Sequence, residues 1–453
     1  MGSGLHYRNP EPIRRLRTRE MKLAKNKSLI RKINEIFDFS ETEEDCFINL
    51  EAFLWKENSS FNEFTKSLLE ENSKANFDSD DIFTALSSSL EVFFSEKKSN
   101  TEEFLEILED VILGYPIEWV AIFPLNYNTI LQEPSHSPLK RVSPIGSFTL
   151  SPYRKNAKYF KGFYERKYNL RGLGSEELNH QNRTTKELLF NAPILSFEVN
   201  GSEQVARRRA MEYYDFFSWV QNLFIALIEK RFAVINESQN ICLHFFLMNE
   251  GNRKILRFPV RSSLSLKGEN RILGELNDDL LRQIKSSDFK EISNLIFLED
   301  KFKSGKKKGE FEVSFFGRIF NSLKFFSKGF SSDDNVARFL FYMISVEALF
   351  SKDKYTPLRV TLADCISLLH PVPSERVDIH KKVRNFYDLR SAIVHSGEHK
   401  VFSEDVASAE ELFSKSIYRC IKLYIKIKST NKDSQGIENL FFDHLLNLKL
   451  TGL

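Results

Sequence analysis

Cysteine is scarce and scattered in this sequence. The four in 453 residues, Cys46, Cys242, Cys365 and Cys420, show no C-x-x-C spacing. A disulfide framework or a zinc module needs clustered, regularly spaced thiols, so these read as buried free thiols in a reducing compartment. Long apolar runs are missing as well. The most apolar helical stretch, Phe216 to Ile228, is interrupted by Ser218, Gln221 and Asn222 and stops at Glu229, too short and too polar to span a bilayer. The first residues are basic and polar, unlike a secretory leader, so a cytoplasmic protein with no membrane partner is the expectation. No Walker-type glycine loop, H-E-x-x-H or G-x-S-x-G occurs, which removes the motif-based case for phosphate-loop, zinc-protease and serine-hydrolase chemistry. Arg171 to Gly174 is half a dinucleotide fingerprint without its third glycine and reads as a turn. His370, His380 and His399 lack ligand-like spacing, and His244 sits in an apolar strand. No metal and no cofactor are expected.

Phenylalanine is abundant. Its 42 copies suit helix-packed cores that bury large rings. The formal charge of +3 hides a strong segregation. Residues 1–32 carry ten Lys or Arg against two Glu, a basic arm that is solvated or contacts nucleic-acid phosphates nonspecifically. From Glu35 to Asp110 there are 21 acidic and 5 basic residues, with Phe, Leu and Ile at helical spacing. Residues 33–114 therefore read as short amphipathic helices with acidic outer faces, which repel RNA and suit protein contact or self-inhibition. Residues 115–300 read as an α+β sensor or regulatory domain. Its cues are strands at Trp119–Phe123 and Ile194–Val199, a long helix with Ala206, Ala210, Tyr213, Phe217, Val220, Phe224 and Leu227 on one stripe, and a hairpin turning at Asn249–Asn252. A basic linker follows at 301–310. From 311 to 430 every strong signal is helical, and 431–453 reads as a tail with room for a short helix. The whole is an α+β multi-domain chain, mixed at first and all-α towards its end.

The chemistry-bearing residues cluster in that helical part. Asp333 and Asp334 stand where an N-cap belongs, before a helix ending near Phe350. Val336, Leu340, Met343 and Glu347 share one face of it, since offsets of 4, 7 and 11 nearly close whole turns. That puts a carboxylate on an inward face, where it needs a cationic partner: Arg359, or else Arg390 or Arg384. A second helix, from about Ile379 to His395, buries Val383, Phe386, Leu389 and Ile393. Its opposite, polar face carries Arg384, Asp388, Ser391 and His395. Arg390 falls off this polar stripe, roughly 140° from His395 at about 100° per residue. The two converge if the guanidinium arm wraps round, if the last turn loosens, or if two chains each contribute one group. A histidine near a helix end also serves simply as a partner for the C-terminal dipole.

The segment Phe386-Tyr-Asp-Leu-Arg-Ser-Ala-Ile-Val-His-Ser-Gly397, with Arg390 and His395 in an Arg-x4-His arrangement, resembles the signature of Apea-like HEPN domains. Two more pieces agree in order and spacing. Ile344–Phe350, which contains Glu347, is similar to that branch's first core helix, and Arg359–Leu369 is similar to its second. The resemblance covers roughly 333–428, about a fifth of the chain; the middle region is similar, more loosely, to portions that accompany such domains. It implies an all-α HEPN bundle and a metal-independent endoribonuclease, a homodimer whose two motifs face one cleft, acting in antiviral defence by abortive infection. A phage-derived trigger and an RNA substrate are the implied partners. His395 would be the general acid or base and Arg390 the phosphate clamp. Ser391 would position phosphate or orient the histidine, with Asp388, Tyr387, Arg384 and Glu347 in support. Histidine titrates near neutrality, and guanidinium offers a permanent planar charge, which suits cleavage by RNA's own 2′-hydroxyl. The alternative is a non-catalytic HEPN scaffold that binds nucleotide, RNA or a partner protein. A third reading is an RNA-binding protein that uses the basic arm and Lys306–Lys308.

Overall fold

The computed structural model describes residues 23, 27–37, 39, 42–46, 50, 79–113, 118–124, 143–151, 194–201, 203–227, 244–249, 254–259, 283–298, 314–351, 357–396, 400–430 and 436–451. Most of the arm at 1–32, the linker at 301–310, Arg171–Gly174, the turn at 250–253, Cys242, Gly397 and His399 lie outside the described residues. The chain forms two compact units, Met1–Glu118 with Asn200–Val205, and Trp119–Val199 with Ala206–Leu453. The architecture is α+β and mostly helical.

The first unit includes α1 (Lys27–Ile36), α2 (Ser79–Ser95) and α3 (Thr101–Leu113). Helix α1 begins inside the stretch read as a solvated arm, and Leu23 before it is fully buried, its N–H donating to Glu109 at 3.0 Å. An apolar side chain anchors this end of the arm. Phe37, Phe39, Phe93 and Phe104 pack ring on ring, with centroids 4.7 to 5.8 Å apart, at the tilted and edge-on angles that aromatic quadrupoles favour.

The second unit opens with a sheet. Its strands are β1 (Glu118–Pro124), β2 (Ser143–Ile145), β3 (Phe148–Ser151), β4 (Ile194–Asn200), β5 (His244–Asn249) and β6 (Lys254–Pro259). They lie in the order β2-β3-β4-β1-β5-β6. The pairs β2–β3, β3–β4, β1–β5 and β5–β6 are antiparallel. Proline-bearing β2 takes an edge, where a missing N–H is harmless. The β2–β3 turn uses Gly146 at φ +62°, and the Asn294 side chain both accepts from Ser147 N–H at 2.8 Å and occupies the space a Cβ at 146 would need.

Helix α4 (Glu203–Leu227) is the keystone of this unit. One side packs on the sheet, where Tyr214 stacks on Phe123 at 4.2 Å and Phe217 meets Phe148 at 4.8 Å. The other side packs on the later helices through Phe216 with Phe320, Trp219 with Phe320, and Phe224 with Tyr418. Asn222 donates to Ser327 Oγ at 2.7 Å there. Partners on both sides account for the apolar stretch from Phe216 to Leu227, most of which is buried.

After the short α5 (Ser287–Ser293) and α6 (Leu295–Leu298) come α7 (Phe315–Ser331), α8 (Asn335–Phe350), α9 (Leu358–Leu368), α10 (Arg376–Ser396), α11 (Ser403–Thr430) and α12 (Ile437–Thr451). Ser314 and Asp334 cap α7 and α8, accepting from Gly317 and Ala337 N–H at 3.0 and 2.7 Å. Gly329 lets α7 approach α8, because a Cβ there would sit 2.7 Å from the Tyr342 ring. Helix α12 occupies the stretch read as a tail. It packs into the bundle through Phe441, whose ring lies 4.6 Å from that of Phe315. Among the described residues, no helix is long and apolar enough to cross a membrane.

Candidate active site

The buried line of α8 runs through Phe339, Tyr342, Met343, Val346, Leu349 and Phe350. It is rotated from the expected Val336–Leu340–Met343–Glu347 face: Val336 and Leu340 are only half-buried, and Glu347 lies at the margin of the core. That margin is where a carboxylate can be shielded without being fully desolvated. Facing it is α10, which buries Val383, Phe386 and Ile393, with Leu389 half-buried. The Phe386 ring sits edge-on between Phe339 and Phe413, at 5.7 and 5.8 Å. This aromatic clasp sets which face of α10 turns inward, and so the side on which its polar groups lie.

That rotation sends Arg390 to Glu347. Its Nε lies 3.1 Å from Oε1, and its Nη2 donates to Oε2 at 3.2 Å. The arginine side chain is 26% exposed and the glutamate 14%, so this is a shielded, two-point contact. Burial pushes the Glu347 carboxyl above its ordinary range, and the Arg390 charge opposes that rise without cancelling it. Of the three arginines the sequence offered as partners for Glu347, the structure selects Arg390.

Arg359, projecting from α9, goes instead to Asp388. Its Nε donates to Oδ1 at 2.6 Å and its Nη2 to Oδ2 at 2.5 Å, a fork-on-fork pair. The side chains are 34% and 53% exposed. Arg359's hydrogen bonds hold the Asp388 carboxyl below the usual carboxylate range, with the Arg384 charge adding to the effect. Arg384 is half-buried one turn before Asp388, and its Nε is buried without a hydrogen bond. Ser391 and Tyr387 are half-buried. His395 stands exposed in the last turn of α10, which runs as an unbroken α-helix to Ser396.

The polar stripe Arg384–Asp388–Ser391–His395 thus exists as one face of α10, joined at Asp388 by Arg359 from the neighbouring helix. Arg390 leaves on another side. The last turn of α10 does not loosen, and the guanidinium arm reaches towards α8. Chemically, the arrangement offers a solvent-facing imidazole, a row of hydroxyl and guanidinium donors beside it, and a separately held arginine. Among the described residues, no group of three or more His, Cys, Asp and Glu side chains converges as a metal site would require.

A third polar assembly escaped the sequence reading. Glu410 of α11 is buried and accepts from Tyr342 Oη at 2.6 Å and Arg338 Nη2 at 2.9 Å. Burial, then the Glu410 charge, drives the Tyr342 phenol well above its ordinary range. The signal was present. Glu410 interrupts the apolar line Val406, Ala409, Phe413, Ile417, and a carboxylate there demands partners from another helix.

Comparison of the chain with protein-family models, with curated proteins and with solved structures returns no match.

Proposed function

We propose that the chain is a metal-independent endoribonuclease of the HEPN type, acting in phage defence by abortive infection, with the residues before the helical bundle serving a sensing or regulatory role. The observation that carries this reading is the divergent placement of the motif's two groups. His395 is exposed at the head of a polar stripe, and Arg390 is held in a fixed orientation by Glu347. In the reaction, the RNA 2′-hydroxyl attacks the adjacent phosphorus and the 5′-oxygen leaves. His395 takes the hydroxyl proton or supplies the one the leaving oxygen needs. Arg390 sets its remaining guanidinium donors against the phosphoryl oxygens as negative charge builds there. The products are a 2′,3′-cyclic phosphate and a 5′-hydroxyl. DNA lacks the internal nucleophile and is spared.

Because α10 stays regular, Arg390 and His395 diverge by roughly 140° on one chain. A symmetric homodimer that pairs the Arg390 of one copy with the His395 of the other reconciles them. Exposed Val394, next to the histidine in the chain, and exposed Phe402, just before α11, supply apolar surface for such a contact.

The test is expression of wild type, Arg390→Ala and His395→Ala, followed by cellular RNA integrity and end mapping. Cleavage with cyclic-phosphate ends, lost in both variants, supports the enzyme; intact RNA in all three overturns it. Mixing the two dead variants sharpens the result. A shared site regains roughly a quarter of wild-type cleavage through heterodimers, and a one-chain site regains none. The shielded Arg390–Glu347 pair also favours a second reading, a scaffold in which that pair ties α8 to α10 and no RNA is cut.

A further inference from the structure

We propose that Arg359 and Arg384, whose charges both act on Asp388, form a second phosphodiester subsite that holds the RNA strand one to three nucleotides from the scissile bond. This deepens the ribonuclease reading and rests on it. Three observations combine. First, Asp388 is paired with Arg359 and also feels the charge of Arg384, two cations to one carboxylate, so the cluster keeps a surplus positive charge. Second, Arg384 Nε is a shielded donor that makes no hydrogen bond. Such a donor gains from an anionic acceptor when the side chain turns outward to meet it. Third, the cluster lies on the same face as His395. On a helix rising 1.5 Å per residue, Asp388 is about 10 Å and Arg384 about 16 Å below it, a span an extended strand crosses in one to three backbone units.

An inter-helix tie is the competing account of the Arg359–Asp388 pair. Helices α9 and α10 already pack against each other, and Leu362, Ile366, Val383 and Phe386 on them are buried. A solvent-facing ion pair adds little to such packing. Without RNA, Asp388 occupies the fork of Arg359; with RNA, a backbone phosphate takes that place, and the carboxylate is the internal competitor that keeps resting affinity low. Removing the competitor therefore strengthens binding, which a structural tie would not do.

The experiment uses the full chain and a short fluorescent single-stranded oligoribonucleotide, with affinity read by anisotropy in the His395→Ala background so that the strand survives. Arg359→Ala is expected to weaken binding about five- to tenfold and to flatten the slope of log affinity against log salt by about 0.7, one phosphate contact on a single strand. Asp388→Asn is expected to tighten binding about threefold or more. With His395 restored, Arg359→Ala raises KM and leaves kcat within about twofold, the mark of an interaction made equally in ground and transition states. Arg359→Gln keeps the packing of the stem and gives the same result if the alanine variant misfolds. Unchanged affinity, slope and KM in variants of an active enzyme would overturn the subsite alone. Absence of RNA cleavage by wild type would overturn the nuclease reading beneath it. Competition by inorganic phosphate or a mononucleotide at the strand's own concentration would assign the cluster to a free phosphate and overturn the strand subsite.

Discussion

The helices of the amino-terminal unit and those from Phe315 onward are both rich in phenylalanine, yet they hold themselves together differently. In the first, the described core is aromatic and aliphatic throughout. Its one buried polar residue among those described is Ser89, which donates to the Ala85 carbonyl of its own helix. In the second, carboxylates and arginines are threaded between helices: Glu410 with Tyr342 and Arg338, and Glu347 with Arg390. Asp288 ties α5 to α11, accepting from Tyr418 Oη and from Lys422 at 2.9 Å. An apolar contact tolerates small rotations of one helix against another. A buried ion pair does not, because an ion pulled from its partner has neither protein nor water to satisfy it. The polar ties therefore specify the rotation of α8, α10 and α11, and through α10 the direction of every group in the candidate site.

The contrast can be broken from either side. Phe104→Ala should remove the ring at the centre of the first unit's cluster and cost about 3–5 kcal/mol by denaturant titration, with normal RNA binding by the remaining folded protein. Tyr342→Phe deletes only a hydroxyl, yet leaves buried Glu410 one donor short. It should cost about 1–3 kcal/mol and, by loosening α8, lower cleavage as well. If Tyr342→Phe proves silent, the polar ties do not set helix rotation. Glu347→Gln keeps the shape and removes the charge that orients Arg390. It should reduce the cleavage rate about tenfold with RNA affinity within about twofold, and equal activity would mean that Arg390 needs no orienting.

The smallest effect expected is the pH dependence of the α5–α11 tie. Tyr418's and Lys422's hydrogen bonds lower the Asp288 carboxyl, so its contribution is present above the unfolded range near 3.9 and lost as pH falls below it. Burial and Asp288 push Tyr418 up to about 12. Its contribution is complete below about pH 10 and is lost as pH rises towards 12. The difference in urea midpoint between wild type and Tyr418→Phe should therefore be level from about pH 5 to 9 and shrink outside it.

Much of the local structure was legible in the chain. The β1 and β4 strands, the α4 stripe and the Asp334 cap follow from periodicity and capping chemistry, which act within a few residues. What lay beyond sequence reading was rotation. The face of α8 that enters the core missed by part of a turn, because half-buried Val336 and Leu340 satisfy the same spacing as the fully buried Phe339 and Val346. The stretch after 430 reads as a tail with room for a short helix, and a helix of 15 residues carries no sign of which neighbour will receive Phe441.

The site divides along the same line. Helical geometry alone determined that Arg384, Asp388, Ser391 and His395 share a face and that Arg390 does not, since a regular helix fixes the angle between its own residues. Only the tertiary structure decided that Arg390 turns to Glu347 and Arg359 to Asp388. Those pairings depend on how α8, α9 and α10 rotate against one another, and that rotation is settled by long-range packing around Phe386 and by buried charges that must find partners.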